Sequence, residues 1–424
     1  GRAAAPFLSM RCCFSEAAAA AAATELDDEA RERGPCLMLH RPKMSESEST
    51  DDDDYYHFFS LAEQKELRIE KNLRLPWQRD LLSPDDAVCV GSSHGWLAFI
   101  HPRNCSLYLF NPFIDSSSYY PYLPLPPIET LPSVISSNRY KSSSSSSMVT
   151  EYVFNGDGPY DLQPHVVTPE QLSLDFIQRL VLSSAPSPIL LPNSHHRHSE
   201  SESKSNCTVM AIQGYKSSDY KLAFCKPGDT SWTSLDECGW ACEDMLYFSK
   251  DQLFYTLYQL DFLRAWDLRN PDSPKSSVIK FSIDQHQYYN VKRYLAESSG
   301  DLLMVIRYYS YHGTYGTESR SIKTFLFHVY KFDFIRKEWV DLPSLGDRVL
   351  FVGSNCSVSL SALDFPGLIQ NSIYFACLDN RKIYKPLWRH DFGVFNLEDN
   401  TITHFDRCDL NNIQLPPVWV IPSL

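Results

Sequence analysis

The strongest constraint on this chain is a unit that recurs along it: a short β-rich run, a polar turn, then a second run that often carries Trp, Leu or Pro. Tyr220–Phe224 passes through Lys226-Pro227-Gly228-Asp229 into Ser231–Leu235. Leu263–Leu268 passes through Asn270-Pro271-Asp272 into Val278–Ile283, and Phe327–Phe334 through Arg336-Lys337 into Glu338–Pro343. Phe392–Leu397 leads through Glu398-Asp399-Asn400 to Thr401–Phe405, and Leu107–Phe113 leads to Tyr122–Pro126. Turn chemistry and alternation make each of these a β-hairpin. Two further β-like runs precede each one: Val88–Val90 with Gly95–Ile100, Ile177–Ser183 with Cys207–Ile212, Met245–Phe248 with Gln252–Leu257, Tyr289–Ala296 with Asp301–Tyr308, and Val349–Gly353 (or Ser357–Ser361) with Ser372–Cys377. The unit is therefore four strands, repeated at a spacing of roughly 40–60 residues. One such sheet cannot bury both faces by itself, so copies must stack until a ring closes. The fold class that results is all-β: a β-propeller of four-stranded blades.

The two ends supply the closure. Tyr56–Leu61 and Glu66–Leu73 form an isolated hairpin, and Pro417–Ile421 is an orphan strand. Joined in one mixed blade, they protect both edges and staple the termini together. Five complete units and one composite give about six blades, within the usual range of 4–8. Seven stays open, because residues 129–170 have room for a degenerate blade. Composition agrees: of 424 residues, 43% are hydrophobic, enough for a sizeable core. The 24 Tyr, 24 Phe and 27 Pro favour strands and tight connections. Residues 1–34, with the run Ala17–Ala23, read as a disordered Ala-rich tail, and 35–424 as the propeller. Polar stretches at 45–54, 141–147 and 193–206 bury too little apolar surface to fold and read as solvated insertions.

Charge and cysteine usage narrow the function classes. A net charge of −13 argues against general nucleic-acid or anionic-membrane binding, which needs a surplus of Lys and Arg. Arg381-Lys382-Ile383-Tyr384-Lys385 is a local basic, aromatic stretch, and it reads as a solvated loop. No apolar run approaches the roughly 18–20 residues of a membrane span. Arg11, Glu16 and the acidic Glu25–Glu29 break the pattern of a secretory signal. Of 12 Cys, most lie in apolar β-like runs (Cys89, Cys207, Cys225, Cys356, Cys377), as small buried hydrophobes in a reducing compartment would. Cytoplasm, nucleus or both is the expected location. Asn104-Cys105-Ser106, Asn206-Cys207-Thr208 and Asn355-Cys356-Ser357 then fit the glycosylation pattern by coincidence. Cys238 with Cys242, and His195, His196 and His198, lack the second closely spaced pair of a zinc site, so no metal is expected.

One segment is diagnostic. Val88-Cys89-Val90-Gly91-Ser92-Ser93-His94-Gly95-Trp96-Leu97-Ala98, followed by Leu109-Phe110-Asn111-Pro112-Phe113, resembles the plant F-box-associated, kelch-like β-propeller family of the KIB type. Phe224–Trp232, Ala265–Leu268, Tyr294–Ser298, Val329–Asp333 and Leu415–Val420 match it as well, so the resemblance runs from about residue 35 to the end. The resemblance implies a substrate receptor: an F-box docks on a Skp-type adaptor of a cullin–RING ubiquitin ligase, and the propeller holds the protein to be ubiquitylated. This chain departs from that pattern. Residues 1–34 are too short and Ala-rich for an F-box, and no Leu-Pro-x-x-Leu helix start precedes the propeller. Gly1 in place of an initiator Met suggests a fragment, a processed product or an incomplete gene model. A Skp-type adaptor is therefore expected as a partner only if an F-box lies upstream.

The residues open to a chemical reading also have structural ones. His94 as a base would need a nucleophile and an orienting acid. Ser92 and Ser93 are too close in sequence to serve, so His94 is expected to tie its turn to a neighbouring blade, with Gly91 and Gly95 supplying unusual backbone angles and Trp96 filling space between sheets. Trp232, Trp266 and Trp339 read as one inter-blade aromatic per hairpin, and Asp267, in a Trp-Asp dipeptide like that of other propellers, as structural too. Glu243-Asp244 and Asp284 are the acidic residues that a propeller hydrolase or oxidoreductase would place at its channel. There is no P-loop, dinucleotide fingerprint or H-E-x-x-H, so no cofactor and no catalytic residue is assigned. The leading expectation is a non-catalytic protein-interaction module, with the propeller enzyme as the alternative. The discriminator is whether carboxylates converge at the central channel.

Overall fold

The computed structural model describes residues 34–40, 55–63, 65–70, 87–114, 119–141, 148–154, 165–187, 189–190, 207–214, 220–235, 242–283, 290–313, 321–376, 391–405 and 415–421. The expected tail (1–33 of it), the acidic stretch 45–54 and the His-bearing stretch 193–206 lie outside the described residues.

The expected hairpins fold into antiparallel sheets in chain order. Blade 1 is Val88–Ser93, Trp96–Ile100, Leu107–Phe110 and Tyr122–Pro124. Blade 2 is Ile177–Leu182, Val209–Gln213, Lys221–Cys225 and Thr233–Leu235. Blade 3 is Cys242–Phe248, Leu253–Tyr258, Phe262–Asp267 and Lys275–Lys280. Blade 4 is Asn290–Ser298, Asp301–His312, Ser321–Asp333 and Glu338–Asp341. Local chemistry sets the tightest turns. His94-Gly95 and Ser299-Gly300 are two-residue loops with both φ angles positive, the geometry that matches the twist of the flanking strands.

Two blades differ from the expectation. Blade 5 has five strands, not four: Val358–Ser361, Arg348–Val352, Ser372–Phe375, Gly393–Asn396 and Ile402–His404, in that spatial order. Both runs weighed for its first strand are strands. Arg348–Val352 is inserted between the inner strand and Ser372–Phe375, and pairs parallel with the latter. Blade 6 is the mixed blade, and it contains a strand that the sequence reading missed. Cys36–His40 lies between the C-terminal Leu415–Val420 and the hairpin Tyr55–Ser60 and Lys65–Glu70.

Side-chain alternation closes the ring. Successive residues of a strand point to opposite sheet faces, and here both faces are buried. Leu302, Met304 and Ile306 pack toward blade 3, whereas Leu303 and Val305 pack toward blade 5. Among the described residues, six apolar clusters each join two consecutive blades. Leu109 shares a cluster with Leu180, Phe224 with Trp266, Leu257 with Met304, Val305 with Phe375, Phe351 with Trp419, and Met38 with Phe99. The last two seams show that the ring closes through blade 6.

Seven blades are excluded among the described residues. Val134–Lys141, Met148–Phe154 and His165–Val167 form a three-stranded sheet, followed by the capped helix Pro169–Asp175. Tyr152, Phe154, Val167 and Leu172 bury themselves in the seam between blades 1 and 2. The inner strands of those blades still touch: the Leu182 amide donates to Ser93 Oγ at 3.2 Å. The sheet is thus an accessory to the ring. The Ser run 142–147, outside the described residues, joins its paired ends Lys141 and Met148.

Trp419 is fully buried between blades 5 and 6, and its indole N–H donates to the Val352 carbonyl at 3.1 Å. Replacing it with Ala is expected to cost about 3–5 kcal/mol. Urea denaturation should show a lower midpoint with an unchanged slope.

Candidate functional site at the propeller axis

The central channel is where an enzyme and a binding module would differ, and it is filled by paired groups. Arg179, on the inner strand of blade 2, is buried (2% exposed), and so is Asp244 (1%) on the inner strand of blade 3; their Nε and Oδ1 lie 2.9 Å apart. Asp244 also accepts the backbone N–H of Leu295 in blade 4 at 2.7 Å and of Met245 at 2.8 Å. Burial pushes its carboxyl above the usual range, while Arg179 and these amides pull it back. Arg179 Nη1 donates to the carbonyls of Gly353 (3.3 Å) and Asn355 in the loop that enters the inner strand of blade 5. The Asn355 amide donates to Ser92 Oγ of blade 1 at 2.8 Å and to the Trp419 carbonyl of blade 6 at 3.0 Å. One hydrogen-bonded set thus touches all six blades.

Among the described residues, the acidic candidates Glu243 and Asp244 do not converge as free carboxylates. Asp244 faces Arg179, and Glu243 pairs with Arg293 Nε at 2.6 Å. Arg293 also reaches Asp261 at 2.5 Å and the Tyr258 carbonyl at 3.0 Å. No group of three or more His, Cys, Asp or Glu among the described residues is arranged to hold a metal ion. Asp284, Cys238, His195, His196, His198, Cys377, Asn206 and Arg381–Lys385 lie outside the described residues.

The Gly-Ser-Ser-His-Gly-Trp turn is built as a tie. Ser92 Oγ donates to the Trp419 carbonyl of blade 6 at 2.5 Å, while Ser93 bonds to Leu182 of blade 2. Desolvation holds the His94 pKa below the ordinary imidazole value, with the Leu182 backbone acting in the opposite direction. The two serines bond to different blades, so the residues form no triad. Gly95 and His94 carry the positive φ angles; Gly91 does not, and sits instead at a β-bulge facing the Leu180 carbonyl. Trp96 fills the seam between blades 1 and 2. Trp232, Trp266 and Trp339 each pack in a seam, but at different hairpin positions. Trp266 lies on a third strand, Trp339 on a fourth, and Trp232 just before one. Asp267 pairs with Arg269, and that guanidinium holds its carboxyl down at about 2.

Sequence reasoning missed Arg179 and Asn355. Asn355 was the third apparent glycosylation acceptor, yet it is 1% exposed at the axis. A faint signal existed: the polar Gly353-Ser354-Asn355-Cys356-Ser357 lies between two β-like runs, each able to be the first strand of blade 5. The four described cysteines expected to be buried (Cys89, Cys207, Cys225, Cys356) are buried free thiols, and burial raises Cys356 to about 11.

Exposed large apolar groups among the described residues include Leu260, Ile335, Leu363, Tyr311 and Phe325. Blade 4 is distinctive, because its middle strands have 12 and 13 residues where those of other blades have 4 to 6. A bulge at Tyr308/Tyr309 marks where the hairpin outgrows the blade. Phe325 is the extra residue of that bulge and Tyr311 lies beyond it, each 39% exposed, while Thr324 is tied to Asp391 of blade 5.

The axial ion pair yields a double-mutant test. Arg179→Met leaves Asp244 buried without its counter-ion and should cost about 3–5 kcal/mol. Adding Asp244→Leu should recover part of that loss, a coupling of about 0.5–3 kcal/mol by denaturant titration of the four chains.

Comparison with known proteins agrees with this architecture. The chain is 24% identical over 213 residues to the Arabidopsis thaliana protein named "Putative F-box protein At4g17565", covering 48% of this chain and 53% of the other. It is 32% identical over 164 residues to F-box protein At2g26160 of the same plant, covering 37% and 46%. The chain thus spans about half the length of these curated relatives. Among solved structures, the tricorn protease aligns over 71% of this chain and 21% of its own at 10% identity, with a TM-score of 0.27, too low to carry any argument. Residues 58–396 match the family model described as KIB1-4 beta-propeller, and the chain belongs to that family.

Proposed function

We propose that this propeller is a non-catalytic protein-binding module, the substrate-holding part of an F-box ubiquitin-ligase receptor, acting in the cytoplasm, the nucleus or both. The observation that carries the reading is the axis. Its carboxylates are bound by arginines and its channel is crossed by a hydrogen-bonded loop, so exposed anchors lie on the loops and the long blade 4 hairpin. Membership of a propeller family whose relatives are named F-box proteins supports the same reading. No cofactor enters the proposal.

The proposed docking element is the end of the blade 4 hairpin. Exposed aromatics on a rigid strand pair give large contact area at low entropic cost and dominate interface energetics. Tyr309 and Tyr311 pack edge to face at 5.7 Å, and Thr324 fixes the other strand to blade 5. The partner is a protein with a neutral or basic surface, because the chain carries a net charge of −13.

Two experiments test this. Affinity capture from plant cells with proteolysis blocked should recover a Skp-type adaptor and a cullin with a gene product that carries F-box codons upstream of Gly1. If neither is recovered, the ligase part of the proposal fails and a binding propeller remains. A protein captured by the wild-type chain should bind the Tyr311→Ala/Phe325→Ala chain at least about tenfold more weakly at an unchanged thermal midpoint. Unchanged affinity moves the docking surface elsewhere.

A further inference from the structure

We infer that the loop Gly353–Ser357 is a clasp that closes the ring from its axis and holds the C-terminal strand through the side chain of Asn355. The inner strand of a blade has one edge in the sheet and one facing the channel. Buried backbone N–H and C=O groups on that second edge need partners. In blade 6 the sheet edge of Leu415–Val420 pairs with Cys36–His40. On the channel edge, Trp419 N donates to Asn355 Oδ1 at 3.3 Å, and the Trp419 carbonyl accepts from Asn355 Nδ2 at 3.0 Å. The side-chain amide thus presents one donor and one acceptor, as the backbone of a neighbouring strand would.

The rest of the loop is held from blades on other sides of the channel. Arg179 of blade 2 grips the carbonyls of Gly353 and Asn355. Cys356 Sγ donates to the Leu180 carbonyl at 3.3 Å. Ser92 of blade 1 contacts both Asn355 Nδ2 and the Trp419 carbonyl. The Trp419 indole donates to Val352, at the end of the inserted strand. The fifth strand of blade 5 now has a role: it carries the chain to the end of the inner strand, so the connecting loop crosses the axis. Closure of blade 6 is thereby tied to blades 1, 2 and 5 as well as to its own ladder.

Hydrogen exchange on the full chain tests the clasp. Asn355→Asp keeps the acceptor for Trp419 N but sets a carboxylate oxygen against the Trp419 carbonyl. Exchange within 415–420 and 36–40 should rise at least about tenfold, while 242–258 in blade 3 keeps its protection. Unchanged exchange at 415–420, or an equal rise in all blades, overturns the proposal. A second variant bypasses the clasp: Val420→Cys stands opposite native Cys36 in the blade 6 ladder, within reach of a cross-strand disulfide. Oxidation of Val420→Cys/Asn355→Asp should restore slow exchange at 415–420. If Asn355→Asp alone does not fold, recovery of a folded chain by that disulfide supports the clasp. Failure of the disulfide to restore either protection or folding overturns it.

Discussion

A guanidinium and a carboxylate held away from water at the centre of the ring set terms for everything around them. Taking Arg179 and Asp244 out of water costs several kcal/mol per ion, and their attraction offsets this only if the remaining donors and acceptors are also met. Backbone groups of other blades supply much of this: Leu295 of blade 4 on the carboxylate, Gly353 and Asn355 of blade 5 on the guanidinium. Each of those groups is correctly placed only when its blade is seated. The pair therefore rewards one arrangement of the ring and penalises displaced ones. A second buried pair, Arg307 with Asp391 at 3.1 Å, does the same between blades 4 and 5, with Thr324 and the Ala376 carbonyl as further partners.

Apolar burial supplies the bulk of the cohesion but little of this selectivity. The seams are lined by Leu, Val, Ile, Phe and Trp on both faces of nearly every blade. Such seams tolerate sliding better than a charged pair does, because dispersion and hydrophobic burial are non-directional. The Arg179–Asp244 set sits where neighbouring inner strands meet, and that is where small errors in blade angle would accumulate. The axial positions of Arg179, Asp244 and Asn355 are occupied by structural bonds.

The legible and illegible parts divide by range of interaction. The hairpins from Tyr220, Leu263 and Phe327 could be read because turn residues and alternation act between near neighbours. The mixed blade could be read because both termini ended in strands without partners. Cys36–His40 was missed because it is five residues long, and 41–54 separate it from its hairpin partner. The run at Arg348–Val352 was read as the first strand of blade 5, with Ser357–Ser361 as the alternative; that both belong to the sheet was missed, since a parallel pairing leaves no turn signature. Gly91 was assigned a turn geometry that belongs to His94 and Gly95, because a bulge and a turn both attract glycine.

By itself the sequence determined the repeating unit, the all-β ring of about six blades and the family resemblance, because these rest on periodicity and on motifs a few residues long. Tertiary structure alone decided what fills the axis. Arg179, Asp244, Asn355 and Trp419 come from four different blades, and nothing local marks them as partners. Asn355 read as a chance sequon and Asp244 as a candidate acid until the ring placed a guanidinium beside one and a strand edge beside the other. Seams between blades are specified by residue type, which a sequence displays. The axial set is specified by which donors meet which acceptors across the channel, and only closure of the ring settles that.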